Sequence, residues 1–178
     1  WLDNLSLETP KNVEELTEVL RQFKAQDANG NGDASDEVPL EMTLNDGYTS
    51  VRYMLPMFGV PASPGKWIHL DNDKKVQFTP VQEGFRNCME WLHTCYEEEL
   101  LDPEVISQDS NTADTKLKED LSGFFTVWRL KAMGYDDGVA KTCTLYTPQD
   151  EGVCMYRSIE KAKPGVFLTA TNQYVPQT

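Results

Sequence analysis

Apolar side chains return at helical spacing in two long stretches of the chain and gather in short β-prone runs between them. Val13, Leu16, Val19, Leu20 and Phe23 form the first helical set. Thr9-Pro10-Lys11-Asn12-Val13-Glu14-Glu15 supplies its start, with Asn12 as N-cap and Glu15 three residues on completing a capping box. The helix is expected to stop at Gln26-Asp27-Ala28-Asn29-Gly30-Asn31-Gly32, a run that favours turns and positive φ. The second set is Phe85, Cys88, Met89, Leu92, Cys95 and Tyr96, which keeps helical period to about Glu99. Thr79 as N-cap, Pro80 at the first helical position and Gln82 two residues on are expected to open it. Leu100-Leu101-Asp102-Pro103 ends it.

Shorter segments fill the gaps. Gly47 to Met57 has spacings suited to a helix ended near Pro56 and Gly59, and Pro39 to Met42 is too short to assign. Trp67-Ile68-His69-Leu70 and Lys75-Val76-Gln77-Phe78, joined by a polar turn, predict a β-hairpin. A polar stretch from Ser107 to Asp114 leads to a short helix expected over 115–121. Gly123-Phe124-Phe125-Thr126-Val127-Trp128 then has the composition of a buried strand. Thr142 to Tyr146, Val153 to Tyr156 and Val166 to Thr171 also suit strands. Helices and strands alternate with no internal repeat, which predicts one α/β unit over 1–178.

Charge narrows the partners. With 29 acidic against 16 basic side chains the 178-residue chain carries a formal charge of −13, which opposes phosphate backbones and anionic membranes. Nucleic acid is therefore not expected as a partner. No run approaches the roughly 18 apolar residues of a membrane span. The chain starts at Trp1 without a basic and then apolar leader, as a processed or excised piece would.

The cysteines, at positions 88, 95, 143 and 154, and the histidines, His69 and His93, fit no zinc spacing. On a helix Cys88 and Cys95 lie about 10 Å apart, beyond disulfide reach. Cys143 and Cys154 suit either a bridge across a hairpin or free thiols. His69 reads as a hairpin surface residue and His93 as a residue on a helix face.

One motif carries specific chemistry. Asp27, Asn29, Asn31 and Asp33 place oxygen-bearing side chains at alternate positions, with Gly30 and Gly32 between them free to curl the backbone. Calcium takes six to eight oxygens at about 2.3 to 2.6 Å, and a later carboxylate closes such loops. Asp36 and Glu37 are the closing candidates. The twelfth position from Asp27 is Val38 rather than Glu, so the loop is calcium-like without being a standard EF-hand. Magnesium suits it less, since that ion keeps several waters and a strict octahedron. The plain reading of the same run is a solvated Asn-Gly turn.

Other constellations are weaker. No GxSxG, HExxH or Gly-rich phosphate loop is present. Glu97-Glu98-Glu99 reads as a solvated helix end and Asp136-Asp137-Gly138 as a turn, so neither marks a glycosidase acid pair. No catalytic residue is assigned. Sugar rings stack their C–H faces on aromatic rings, and Trp128 followed by Arg129 would present a ring and a guanidinium at a strand's carboxyl end, where open α/β sheets bind ligands. Core packing is the competing role for Trp128. Trp67 and Trp91 read as packing residues.

Taken in order, Trp1-Leu2-Asp3-Asn4-Leu5, Thr9-Pro10, the Asp27 to Gly32 loop, Asp36-Glu37-Val38-Pro39, Leu100-Leu101-Asp102-Pro103-Glu104 and Gly123-Phe124-Phe125 make the chain similar to a family. They resemble the extracellular solute-binding proteins of carbohydrate ABC importers, especially the lipoprotein type and the alginate-binding relatives. The resemblance is strongest over 1–40 and 76–128. It implies one lobe of a two-lobed periplasmic-binding-protein type II fold, with hinge crossovers near both ends and the other lobe outside this chain. It implies a structural calcium ion on Asp27, Asn29, Asn31, Asp33, Asp36 and Glu37, although one extra residue precedes the Asp-Glu pair. Trp128 matches the family's sugar-stacking tryptophan, with Arg129 beside it, and Arg157 is a candidate polar contact.

The implied function is capture of a sugar or oligosaccharide outside the cytoplasm, by a protein lipid-anchored to the cell surface, for delivery to the importer's membrane subunits. A calcium-stabilised adhesion or dockerin-like module is the rival reading, but a dockerin would carry a second calcium loop. An acidic glycoside hydrolase fragment is a further rival.

Overall fold

The computed structural model describes residues 1–44, 51, 54–60, 67–71 and 73–125. Helix α1 spans Val13–Ala25 and begins where its capping residues predict. Asn12 Oδ1 accepts from the Glu15 amide at 2.8 Å, and Asn12 Nδ2 donates to Glu15 Oε1 at 3.0 Å. The other Glu15 oxygen accepts from the Lys11 backbone amide at 2.8 Å, one residue upstream of the capping-box partner. Leu16, Val19, Leu20 and Phe23 are buried, as their spacing requires.

The chain then crosses the loop 26–37 into strand β1, Val38–Glu41. The unassigned Pro39–Met42 segment is therefore largely strand. β1 pairs in parallel with β4, Ser122–Phe125, in the register Val38 to Ser122 and Leu40 to Phe124. On its other edge Leu40 bridges Leu101, its amide donating to Leu100 O at 2.9 Å while its carbonyl accepts from the Asp102 amide at 3.0 Å. β1 is thus flanked on both edges, which suits its apolar, β-prone sequence. Leu40 joins the core of α1 residues, Leu92, Cys95, Leu100 and Leu101. Gly123 is needed where β4 passes this core, because a Cβ there would lie 2.5 Å from the Phe23 ring and 2.6 Å from that of Trp1.

Strands β2, Ile68–Leu70, and β3, Val76–Phe78, form the expected antiparallel hairpin. Ile68 faces Phe78 and Leu70 faces Val76 across it, and all four are exposed. Helix α2, Glu83–Glu97, starts later than its sequence suggests. Thr79–Val81 forms a separate 3₁₀ turn, and Gln82 is the N-cap without a side-chain cap bond. Pro80 fixes φ for that turn as well as for a helix start, so the two are indistinguishable by composition. Pro56 likewise lies inside a 3₁₀ turn, Leu55–Phe58, instead of ending a helix; 45–50, 52 and 53 of the expected helix lie outside the described residues. Helix α3 covers Ser110–Lys118, earlier than 115–121, because the Asp109 side chain caps it at the Thr112 amide.

Tertiary contacts revise several surface assignments. Glu98 and Glu99 are not merely a solvated helix end. Arg21 of α1 grips Glu98 through two bonds of 2.7 and 2.8 Å, and Lys24 reaches both the Glu98 carbonyl and Glu99 at 2.7 Å. Trp91 packs as expected and donates to Thr17 Oγ1 at 2.9 Å. Trp67 is instead exposed, set edge-on to Phe85 at 5.8 Å. His69 turns to the less exposed side of the hairpin, its Nδ1 3.2 Å from Thr79 Oγ1, while His93 is exposed beside Glu97. Cys88 and Cys95 are free and buried, their thiols pushed up to about 12 chiefly by burial. Cys143, Cys154, Asp136, Asp137 and the later expected strands lie outside the described residues. Among the described residues no helix is long and apolar enough to cross a membrane.

Candidate functional site

The loop between α1 and β1 gathers the oxygen donors that its sequence arranges at alternate positions. Asp27 Oδ1 accepts from the amides of Gly30 at 2.8 Å and Asn31 at 3.1 Å, and its Oδ2 from Gly32 at 2.9 Å. Gly30 and Gly32 supply the positive φ, 78° and 96°, that turns these amides inward. Each following donor closes a turn two residues long: Asn29 Oδ1 on Asn31 N, Asn31 Oδ1 on Asp33 N, and Asp33 Oδ1 on Ser35 N, at 2.9, 2.7 and 3.0 Å. The Ser35 hydroxyl also donates to Asp33 and holds its carboxyl below the usual range.

The closing acids divide the work. Asp36 accepts from the side-chain amides of Asn29 at 3.3 Å and Asn31 at 2.7 Å. Glu37 folds back so that Oε1 takes the Ala28 amide at 2.9 Å, while its Oε2 is buried with no hydrogen-bond partner. Asn4, which donates to the Ala28 carbonyl at 2.9 Å, and Asp120, whose carbonyl accepts from Asn29 at 3.2 Å, anchor the loop to the termini of the described region.

Four carboxylates, Asp27, Asp33, Asp36 and Glu37, thus lie in one short loop, and among the described residues no Lys or Arg forms an ion pair with any of them. Among the described residues no group of three or more acidic, His or Cys side chains is arranged to hold a metal ion, this loop included. The donor set suits a hard cation: all six side chains bear oxygen, the charge is uncompensated, and one buried carboxylate oxygen lacks a donor. The two asparagine amides would have to turn their oxygens from the backbone ladder toward such an ion.

A second polar cluster lies at the carboxyl end of β1, and the sequence carries no spacing signal for it. Glu41 is 0% exposed and Asp102 1%. Gln108 Nε2 donates to Glu41 Oε1 at 2.7 Å, to the Met42 carbonyl at 3.0 Å and to Asp102 Oδ2 at 3.2 Å. Lys116 of α3 reaches Asp102 Oδ2 at 2.6 Å, Glu104 at 2.7 Å and Gln108 Oε1 at 3.1 Å. Burial, then Asp102, push the Glu41 carboxyl up to about 9. Burial also pushes Asp102 up, but the neighbouring Glu41 carboxyl and bonds from Lys116 and the Glu104 amide outweigh it and hold Asp102 below the usual range.

Trp128, Arg129 and Arg157, the expected ligand contacts, lie outside the described residues. The described residues stop at Phe125, which pairs with Glu41 at the carboxyl end of the parallel strands.

No protein-family model matches the chain. It is 30% identical over 128 residues, 72% of the chain, to the fructooligosaccharide ABC transporter substrate-binding protein FusA of Streptococcus pneumoniae serotype 4. FusA in complex with kestose superposes with a TM-score of 0.67, covering 72% of this chain and 26% of that one; a FusA EF-hand mutant in complex with fructo-nystose matches equally well, at 29% identity. A human-milk-oligosaccharide (HMO) binding solute-binding protein from Bifidobacterium longum infantis is 27% identical with a TM-score of 0.66, covering 75% of this chain and 29% of its own. The alginate-binding protein AlgQ2 without calcium ion is 25% identical with a TM-score of 0.57, covering 80% and 28%. This chain spans about a quarter of the length of these relatives. The chain is homologous to the substrate-binding proteins of ABC transporters and shares the fold of the matching part of these solute-binding proteins.

Proposed function

We propose that this chain is one lobe, over 1–178, of an extracytoplasmic protein that captures a sugar or oligosaccharide for an ABC importer, with binding and lobe closure as the whole mechanism. The homology to FusA over 128 residues carries this reading. Kestose bound to FusA and the HMO binding of the Bifidobacterium relative support a carbohydrate ligand. Trp128 stacks on a sugar face, and Arg129 and Arg157 meet its hydroxyls. Closure against the other lobe buries the ligand and presents the complex to the importer's membrane subunits. A lipid anchor elsewhere in the protein holds it at the cell surface. The dockerin-like rival is not favoured, since no second calcium loop stands in the sequence.

The loop 27–37 is read as a structural calcium site on Asp27, Asn29, Asn31, Asp33, Asp36 and Glu37. When bound, calcium supplies positive charge that offsets the four carboxylates. The chain's own part is to pin the junction of α1 and β1 through the Asp27 and Glu37 backbone bonds. The EF-hand of FusA supports this reading.

Calorimetric titration with kestose tests the sugar assignment. Weak, saturable binding that Trp128→Ala removes is the expected result, because one lobe offers half a cleft. Turnover of a chromogenic glycoside, or no binding at any concentration of several oligosaccharides, would overturn it. Thermal unfolding in chelator, calcium or magnesium tests the loop, with a calcium-selective rise expected.

A further inference from the structure

The cluster around Glu41 belongs neither to the calcium loop nor to the expected sugar contacts. Two carboxyl groups, Asp102 and Glu104, meet one ammonium, Lys116, and Gln108 ties a third, Glu41, to Asp102. Glu104 has 57% of its side chain exposed and keeps its water, whereas Glu41 and Asp102 are sealed. Ionising both sealed groups would set two buried charges against one cation, an arrangement whose desolvation is costly. Donors are also short. The side-chain amide of Gln108 has two hydrogens for three acceptors, and Glu41 Oε2 is buried with no hydrogen-bond partner. A single proton on that oxygen resolves both problems, since it removes one charge and adds the missing donor.

We propose that Glu41 and Asp102 hold one proton between them in the folded chain at neutral pH, carried on Glu41 Oε2 and donated to Asp102, as a proton-operated lock joining the carboxyl end of β1 to Lys116 of α3. The groups facing Glu41 are Asp102, from the segment after α2, and Lys116, from α3; Glu104 reaches Lys116 from the same segment as Asp102. Gln108 bridges Glu41, Asp102 and Lys116 without titrating.

The sign of the pH dependence follows. Glu41 is raised on folding, so its contribution is fully present below the ordinary carboxylate value and is lost as pH rises toward about 9. Asp102 is lowered, so its contribution is present above that value and is lost only as pH falls through its depressed one. The lock is strongest in mild acid and weakens steadily toward alkaline pH.

Urea unfolding of the 178-residue chain and of Glu41→Gln, both in chelator so that the loop 27–37 contributes equally, tests this from about pH 5 to about pH 9, between the ordinary and the raised value. Glu41→Gln keeps the shape and an N–H donor toward Asp102 but has no proton to lose. The wild-type folding constant is expected to fall relative to the variant's by up to about tenfold per pH unit. Parallel profiles would overturn the proposal. Should the variant not fold, the infrared carbonyl band of the wild type decides: a protonated carboxylic acid persisting at neutral pH supports the lock, and its absence sinks it.

Discussion

Two carboxylate-rich regions lie at the two ends of β1, and they hold their charge in opposite ways. Before the strand, Asp27, Asp33 and Asp36 are spread along an open loop and are met by backbone amides, a serine and two asparagine amides. After it, Glu41 and Asp102 are sealed from water and are met by Gln108 and Lys116. The first arrangement suits added positive charge from solution; the second has its cation built in and one proton to share. The same carboxylate chemistry thus suits a cation from solution in one place and a built-in lysine in the other, with solvent access as the dividing variable.

The largest break in this contrast comes from Lys116→Met. Removing the ammonium leaves Asp102 as a buried, unpaired charge, which costs about 3 to 5 kcal/mol in urea unfolding at neutral pH. The loss should shrink in acid, where Asp102 takes up a proton. On the loop side, saturating calcium at 100 times its dissociation constant should stabilise the wild type by about 2.7 kcal/mol. Glu37→Gln, which keeps the bond to the Ala28 amide, should remove most of that rise while changing the melting temperature in chelator little. An undiminished calcium response in Glu37→Gln would exclude Glu37 as a ligand.

Asp27→Ala sharpens the comparison further. Its carboxylate is already the acceptor for three backbone amides, so the variant should lose about 1 to 2 kcal/mol even in chelator, and more in calcium. Arg21→Ala sets the lower limit. Its pair with Glu98 is exposed on both sides, so its loss should lower stability least of these variants and vanish in high salt.

Much of the fold and of the loop is legible in the amino-acid sequence. Asn12 and Glu15 mark the start of α1, the apolar period marks its buried face, and alternation around a polar turn marks the hairpin, because each signal is local and recurs within a few residues. The alternating oxygens of the loop belong to the same class, and the structure keeps their order. Sequence and structure part where one residue serves two local structures. Pro80 and Pro56 each suit a 3₁₀ turn as well as a helix boundary, and the choice between them depends on packing.

The sequence by itself therefore determined the segments with strong local periodicity, the acidic excess, the oxygen-rich loop and the resemblance to solute-binding proteins. Only the tertiary structure decided which acids lose their water. Glu41, Asp102 and Lys116 are far apart along the chain and unremarkable in composition, and they meet because β1 runs beside the segment after α2 and α3 folds back over that junction. Burial is a property of that meeting, and a carboxyl group's charge state depends on burial.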